Sequence, residues 1–170
     1  MQSDKEMQNI KQLLDSAESQ IRQAKSLLFS NDISKKAAEV SKSSDGSVIE
    51  GVFDGEMMVG PDQKKYFVPQ NYASKSKLIP GDILKLTILE DGSYVYKQIG
   101  PIERKKIIGE IEEVERGKFV ANAEGKTYQL LLASVTYFKA EAGDKVTIIV
   151  PKEGESLWAA LENLIDKSKE

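Results

Sequence analysis

The sequence predicts a mainly β protein with three kinds of part: an N-terminal amphipathic or coiled-coil helix, two tandem small β-barrel units of OB-like or cradle-loop type, and a C-terminal helix. Three observations carry that prediction. Apolar side chains recur at helical spacing through the first thirty residues, the periodicity changes to two after Ser47, and "IPGDILKLTI" at residues 79–88 returns as "EAGDKVTIIV" at residues 141–150.

The helix comes first. "SDKEMQNIKQLLDSAESQIRQAKSLLFSND" holds neither Gly nor Pro, and Ser3 stands three residues before Glu6, a capping-box spacing. Met7, Ile10, Leu14, Ala17, Ile21, Ala24 and Leu28 then alternate spacings of three and four, an a/d seam over slightly more than three heptads. Two readings of the seam stand. It packs on the protein's own barrel, a reading that Leu13 and Leu27 support by widening the stripe, or it self-associates as a coiled coil or helical hairpin. Ala at two of the three d positions makes a dimer held by this helix alone weak, since each buried methylene contributes only about 0.8 kcal/mol.

Residues 31–46, "NDISKKAAEVSKSSDG", read as a linker with room for a short helix near Ile33 to Val40. The first β unit spans residues 47–100. Its strand-like runs "SVIEGVF", "EMMVG", "KKYFVP", "ILKLTIL" and "SYVYKQI" are punctuated by Asp54-Gly55, Pro61-Asp62, Pro80-Gly81-Asp82 and Asp91-Gly92, with one helical turn in "QNYASKSKL". The second unit, residues 101–170, repeats the order with "KKIIGEIEEVE", "KFVANA", "KTYQLL" and "DKVTIIV". At an offset of 62, Lys64 meets Lys126, Tyr66 meets Tyr128, Gly81-Asp82 meets Gly143-Asp144 and Gly92 meets Gly154, which is the mark of an internal duplication. The match breaks at "ESLWAALENLIDKSKE", where Leu157, Trp158, Leu161, Leu164 and Ile165 fall at helical spacing and predict the closing helix.

Composition bounds the function. A chain of 170 residues with a net charge of −3 and a pI near 5.3 has no global basic field for nucleic acid or an acidic membrane. The absence of Cys and His removes thiol nucleophiles, Cys/His zinc sites, imidazole catalysis and Ser-His triads. No catalytic, cofactor-binding or metal-ligating set is expected. With no long apolar run and a charged N-terminal segment, the chain reads as cytoplasmic, with no membrane partner.

Gly81-Asp82 and Gly143-Asp144 are expected to be structural turns, because Gly takes positive φ and the carboxylate accepts nearby backbone N–H groups. The stretch "KKYFVPQNYASKSKLIPGDILKLTILEDGSYVYKQI" resembles the Gly-Asp box of cradle-loop barrels, and its five strands with a helix between the third and fourth look like an OB-fold. A heptad helix before two barrels is similar to the N-terminal half of the proteasomal ATPases, without the phosphate-binding loop of their ATPase module. The combination "VIEGVFDGEMMVGPD", "YFVPQNYASKSKLIPGDILKLTI" and "YKQIGPIERKKIIG" resembles an uncharacterised family of small-genome, candidate-phylum bacteria, a resemblance that implies no activity.

The function expected from this layout is a non-enzymatic binding or assembly module: the helix associates, as a homo-oligomer or with a protein or ribonucleoprotein partner, and the barrels dock. The alternative is RNA or ribosome association. It rests on Lys64, Lys65, Tyr66, Tyr72, Lys75, Lys77, Tyr94 and Tyr96 in the first unit, aromatic faces interleaved with cations, and on the basic run Arg104, Lys105 and Lys106 between the units. Glu110, Glu112, Glu113 and Glu115 are expected on an edge strand, where charge blocks sheet-to-sheet aggregation.

Overall fold

A computed structural model describes residues 2–43 and 45–167. Helix α1 (Gln2–Ala37) precedes a first unit of β1 (Val48–Phe53), β2 (Met57–Val59), β3 (Lys65–Phe67), α2 (Gln70–Lys75), β4 (Ile83–Ile88) and β5 (Tyr94–Gly100). A second unit follows with β6 (Arg104–Glu115), β7 (Lys118–Ala123), β8 (Lys126–Leu130), α3 (Leu132–Tyr137), β9 (Lys145–Pro151) and β10 (Ala160–Asp166). Each unit folds as one antiparallel five-stranded sheet, in the order β3-β2-β1-β4-β5 and β10-β9-β6-β7-β8. Consecutive strands stay within their own sheet, so the units are tandem rather than interlocked.

The duplication is visible residue by residue. The helices α2 and α3 begin at 70 and 132, the offset read from the sequence. In the central strands, Gly51 faces Leu84 as Gly109 faces Val146. Alternation then places Ile49, Phe53 and Met58 in one core, and Ile107, Ile111 and Ala121 in the other.

Neither sheet closes into a hydrogen-bonded barrel among the described residues, which corrects the closed-barrel expectation. The edges nevertheless approach each other. In the first unit the Tyr96 hydroxyl of β5 donates to the Phe67 carbonyl of β3. In the second, Gln129 of β8 forms a single parallel bridge to Trp158, with Gln129 N–H donating to Leu157 and Ala159 N–H to Gln129.

Four further expectations are corrected. The C-terminal helix is instead strand β10, paired antiparallel with β9. Two bulges, between Leu161 and Asn163 and between Leu164 and Asp166, insert extra residues, so Leu161 faces Ile148 and Leu164 faces Val146 on the same core side. A spacing of three thus arises from a bulged strand. Helix α1 runs unbroken through residues 31–37, where a linker with room for a short helix was expected, because Phe29, Ile33 and Ala37 form a buried i, i+4, i+8 line against Val52 and Val59. Ser3 lies inside that helix rather than at its cap. Finally, β6 is a central strand: Glu110 pairs with both Asn122 and Lys145, while Glu112, Glu113 and Glu115 reach beyond β9 and border β7 alone. No helix among the described residues is long and apolar enough to cross a membrane.

Candidate association surface

The seam of α1 lies open to solvent. Met7 is 66% exposed, Leu14 59%, Ile21 57% and Leu28 57%; Ile10, Ala17 and Ala24 are exposed as well, as are the flanking Leu13 and Leu27. The stripe therefore does not pack on the protein's own β units. The opposite outcome holds at the end of the same helix, where Phe29, Ile33 and Ala37 are buried. Leu28 and Phe29 are successive, so they stand about 100° apart around the axis, and one helix serves two faces.

The anchoring face is held by more than apolar contact. Lys36 Nζ donates to the Gly81 carbonyl at 2.5 Å, and Gln63 Nε2 to the Ser34 carbonyl at 3.1 Å. Burial pulls the Lys36 ammonium below its usual range, against the opposing charges of Asp82 and Glu39. Further back, Glu18, Ile21, Arg22 and Lys25 border an open groove of about 560 Å³ whose other wall includes Val114 and Leu157 of the second unit. The helix is thus fixed to the body at its C-terminal end, passes beside the second unit at Glu18 to Lys25, and presents roughly 27 residues of exposed amphipathic surface, about 40 Å at 1.5 Å per residue.

The Gly-Asp phrase resolves as a turn, twice. Gly81 and Gly143 have φ of 102° and 91°, and their N–H groups donate to the carbonyls of Phe53 at the end of β1 and Ile111 within β6. Asp82 and Asp144 are fully buried; each accepts from the backbone N–H three residues earlier, Ile79 at 2.9 Å and Glu141 at 2.8 Å. The two turns differ in what else they hold. Asp82 also accepts from Gln98, from the Ile102 N–H and from the Arg104 guanidinium, which in turn donates to the Lys77 carbonyl. Asp144 pairs with Lys167 at 3.2 Å. Asp82 is accordingly the stitch between the first unit and the first residue of the second.

The aromatic and basic residues do not form one face. Tyr96 stacks on Tyr72 at 5.9 Å and meets Tyr94 edge-on at 6.2 Å. Tyr66, Tyr72 and Tyr96 are half-buried against the first core, so their rings plug the gap between the β3 and β5 edges. Burial raises the phenol pKa of all three. Of the cations, Lys64 and Lys65 sit beside the β2–β3 turn, with Lys65 3.7 Å from Asp54, whereas Lys75 and Lys77 line a cleft between the units. Lys77 and Lys106 share Glu162 at 3.1 Å and 3.5 Å, Lys105 lies 4.0 Å from Glu124, and Arg104 is paired with Asp82. Each member of the basic run therefore faces a carboxylate.

One feature escaped the sequence reading. The cleft between α2 and α3, about 520 Å³, is walled by Asn71, Ser74, Lys75 and Lys77 on one side and by Tyr137 and Phe138 on the other. Tyr137 is 78% exposed and packs edge-on against Phe138. Ser134 Oγ donates to Ser74 Oγ at 2.8 Å, joining α3 to α2, and Gln70 Oε1 accepts from the Ala133 N–H. The two halves of this cleft lie 62 residues apart, and only the packing of one repeat on the other joins them. Among the described residues no group of three or more His, Cys, Asp or Glu side chains is arranged to hold a metal ion. No protein-family model matches this chain, and a search of curated proteins finds no match to it.

Proposed function

We propose that this chain is a non-enzymatic assembly module, in which the free length of α1 associates through its seam and the two β units form the docking body. The observation that carries the reading is the exposure of Met7, Leu14, Ile21 and Leu28 on a helix whose end is anchored by Phe29 and Ile33. A stripe of this length left in water is an uncovered contact surface, larger than the scattered apolar residues any soluble protein shows. The β units read as open OB-type folds. What supports this is the strand order β3-β2-β1-β4-β5 with a helix between the third and fourth strands, and edges joined only by Tyr96 or by one bridge.

What weighs for a protein partner over single-stranded RNA is the use of the tyrosine faces on one another and the pairing of Arg104, Lys105 and Lys106 with carboxylates. The test is the double change Leu14→Lys and Ile21→Lys. Association measured by light scattering over a hundredfold concentration range should vanish, while Tm stays within about 4 °C, since each exposed position shifts stability by no more than about 0.5 kcal/mol. Unchanged mass together with a lowered Tm would assign the seam to the protein's own core instead. Binding of a short single-stranded RNA below about 1 μM at physiological salt, weakening as salt rises, would transfer the reading to the nucleic-acid alternative.

A further inference from the structure

We infer that the partner of the α1 seam is a second copy of the same chain, running antiparallel, with Met7 facing the partner's Ala24, Ile10 the partner's Ile21 and Leu14 the partner's Ala17. The inference rests on the association reading above and adds the occupant, its direction and its register.

Layer composition argues for the direction. In a parallel pair like faces like, so Leu14 meets Leu14 and Ile21 meets Ile21, whereas Ala17 meets Ala17 and Ala24 meets Ala24. Crowded layers then alternate with two thin ones that leave gaps beside the axis, and unfilled layers forfeit contact energy. In the antiparallel pair the a positions face d positions, and each of the alanines 17 and 24 is filled by a Leu or Met. The layers become Met-Ala, Ile-Ile and Leu-Ala, each occurring twice about the dyad, and none is left as a bare Ala-Ala layer.

Charge argues for the register. The e positions bordering the seam are Asp4, Lys11, Glu18 and Lys25, which alternate in sign from one heptad to the next. Antiparallel helices bring e against e, and alternation makes every such pair attractive in one register and repulsive when the helices slide by one heptad. In the register stated, Asp4 meets the partner's Lys25 and Lys11 the partner's Glu18, four attractive pairs about the dyad. The stated register sets only the terminal Leu28 against a polar residue, the partner's Ser3, whereas a slide of two heptads toward the β body restores attraction but sets Leu14 against the partner's Asn31 and carries the overlap onto the turn buried at Ile33 and Ala37. In a parallel pair the e positions face g positions, which are Glu6, Leu13, Gln20 and Leu27, so only Lys11 finds an opposite charge.

The body leaves room for this arrangement. The overlap uses residues 3–28, the part of α1 whose seam is exposed, and avoids the buried anchor of Phe29, Ile33 and Ala37. In this register the partner's Asp4 to Ile10 run beside Lys25 and Ile21, which border the groove against Val114 and Leu157.

The chain has no cysteine, so introduced thiols report without background. Met7→Cys and Ala24→Cys chains are prepared separately and mixed under mild oxidation, each alone serving as control. The expected result is a disulfide dimer in the mixture and none with either chain alone, because in the antiparallel pair the two copies of residue 24 lie about 25 Å apart along the axis. A disulfide dimer of Ala24→Cys alone would establish the parallel pair and overturn the inference. A dimeric mass without any disulfide would overturn the register. A monomeric mass for the unmodified chain at all concentrations would overturn the second copy as occupant and self-association with it. A charge exchange is the independent check. K11E should weaken the dimer by roughly tenfold and K11E combined with E18K should restore it, whereas in a parallel pair the second change restores nothing.

Discussion

Replacing Asp82 by Ala tests the claim that the first Gly-Asp turn holds the two β units together. Its carboxylate is fully buried and receives four donors: the Ile79 N–H at 2.9 Å, the Ile102 N–H at 3.0 Å, Gln98 Nε2 at 3.2 Å and the Arg104 guanidinium. Truncation strands two backbone N–H groups at the join and removes the guanidinium's counter-charge, leaving it only the Lys77 and Ile102 carbonyls. Breaking one side of such a pair costs about 3–5 kcal/mol, and each stranded donor about 1–3 kcal/mol where water cannot reach it. Taking 3–5 kcal/mol as the total allows for partial hydration of the half-exposed Arg104 and Ile102. A chain of this size loses about 2–4 °C of Tm per kcal/mol, so the melting temperature should fall by roughly 6–20 °C. The assay is thermal unfolding by circular dichroism, run in a cycle with Arg104→Met. The two changes should be coupled by about 1–3 kcal/mol, since both delete the same contact. A fall of less than 3 °C for Asp82→Ala, or strictly additive effects in the cycle, would refute the stitch.

Other consequences follow from single contacts. A Cβ on Gly55 would lie 2.2 Å from Trp158 Cδ1, at φ of 118°, so Gly55→Ala should displace the indole, red-shift its fluorescence and lower stability by more than about 2 kcal/mol. Burial raises the Glu162 pKa, but the hydrogen bonds and charges of Lys77 and Lys106 outweigh it and hold the carboxylate below its usual range. A depressed folded pKa contributes stability that is present above the unfolded value near 4.3 and is lost as pH falls through the folded one. Glu162→Gln should therefore cost less than about 1 kcal/mol at pH 7, and its unfolding curve should converge with the native one at low pH; a gap that widens on acidification would contradict the assignment.

Much of the β architecture was legible because its punctuation is local. Asp54-Gly55, Asp91-Gly92, Arg116-Gly117 and Glu124-Gly125 are turns that any context would make, and the runs between them alternate cleanly. What failed was spacing read without register. Leu161 and Leu164 imitate a helix because a bulge lies between them, and a bulge is a property of the β9–β10 pairing, not of the segment. The extension of α1 past residue 30 was hidden for a related reason: Phe29, Ile33 and Ala37 face another side than the seam, so a single heptad count loses them. The exposure of the seam was not decidable from α1 alone. An apolar stripe reads the same whether it is buried or bare, and the residues that settle it lie on β1 and β2.

Those residues give the last prediction. The duplicated sheets carry a matching cross-strand pair on their outer faces: Val52 faces Val59 in the first unit, and Glu110 faces Asn122 in the second. The first pair is buried beneath Phe29 and Ile33, the second is exposed, and only the first carries a helix. The docking site for α1 is thus a difference between repeats at two positions, while the inner faces of both remain apolar. Writing the second repeat's residues into the first, as Val52→Glu with Val59→Asn, sets a carboxylate under the helix and removes apolar area worth roughly 3–4 kcal/mol when buried. Because Val52 and Val59 point away from the core of Ile49, Phe53 and Met58, the sheet itself has no reason to open. Hydrogen exchange should show residues 29–37 losing protection while β1, β4 and β6 keep theirs. Protection retained at 29–37 would mean that Lys36 and Gln63 suffice to anchor the helix, and collapse of the sheet as well would mean that α1 is part of the fold rather than an arm attached to it.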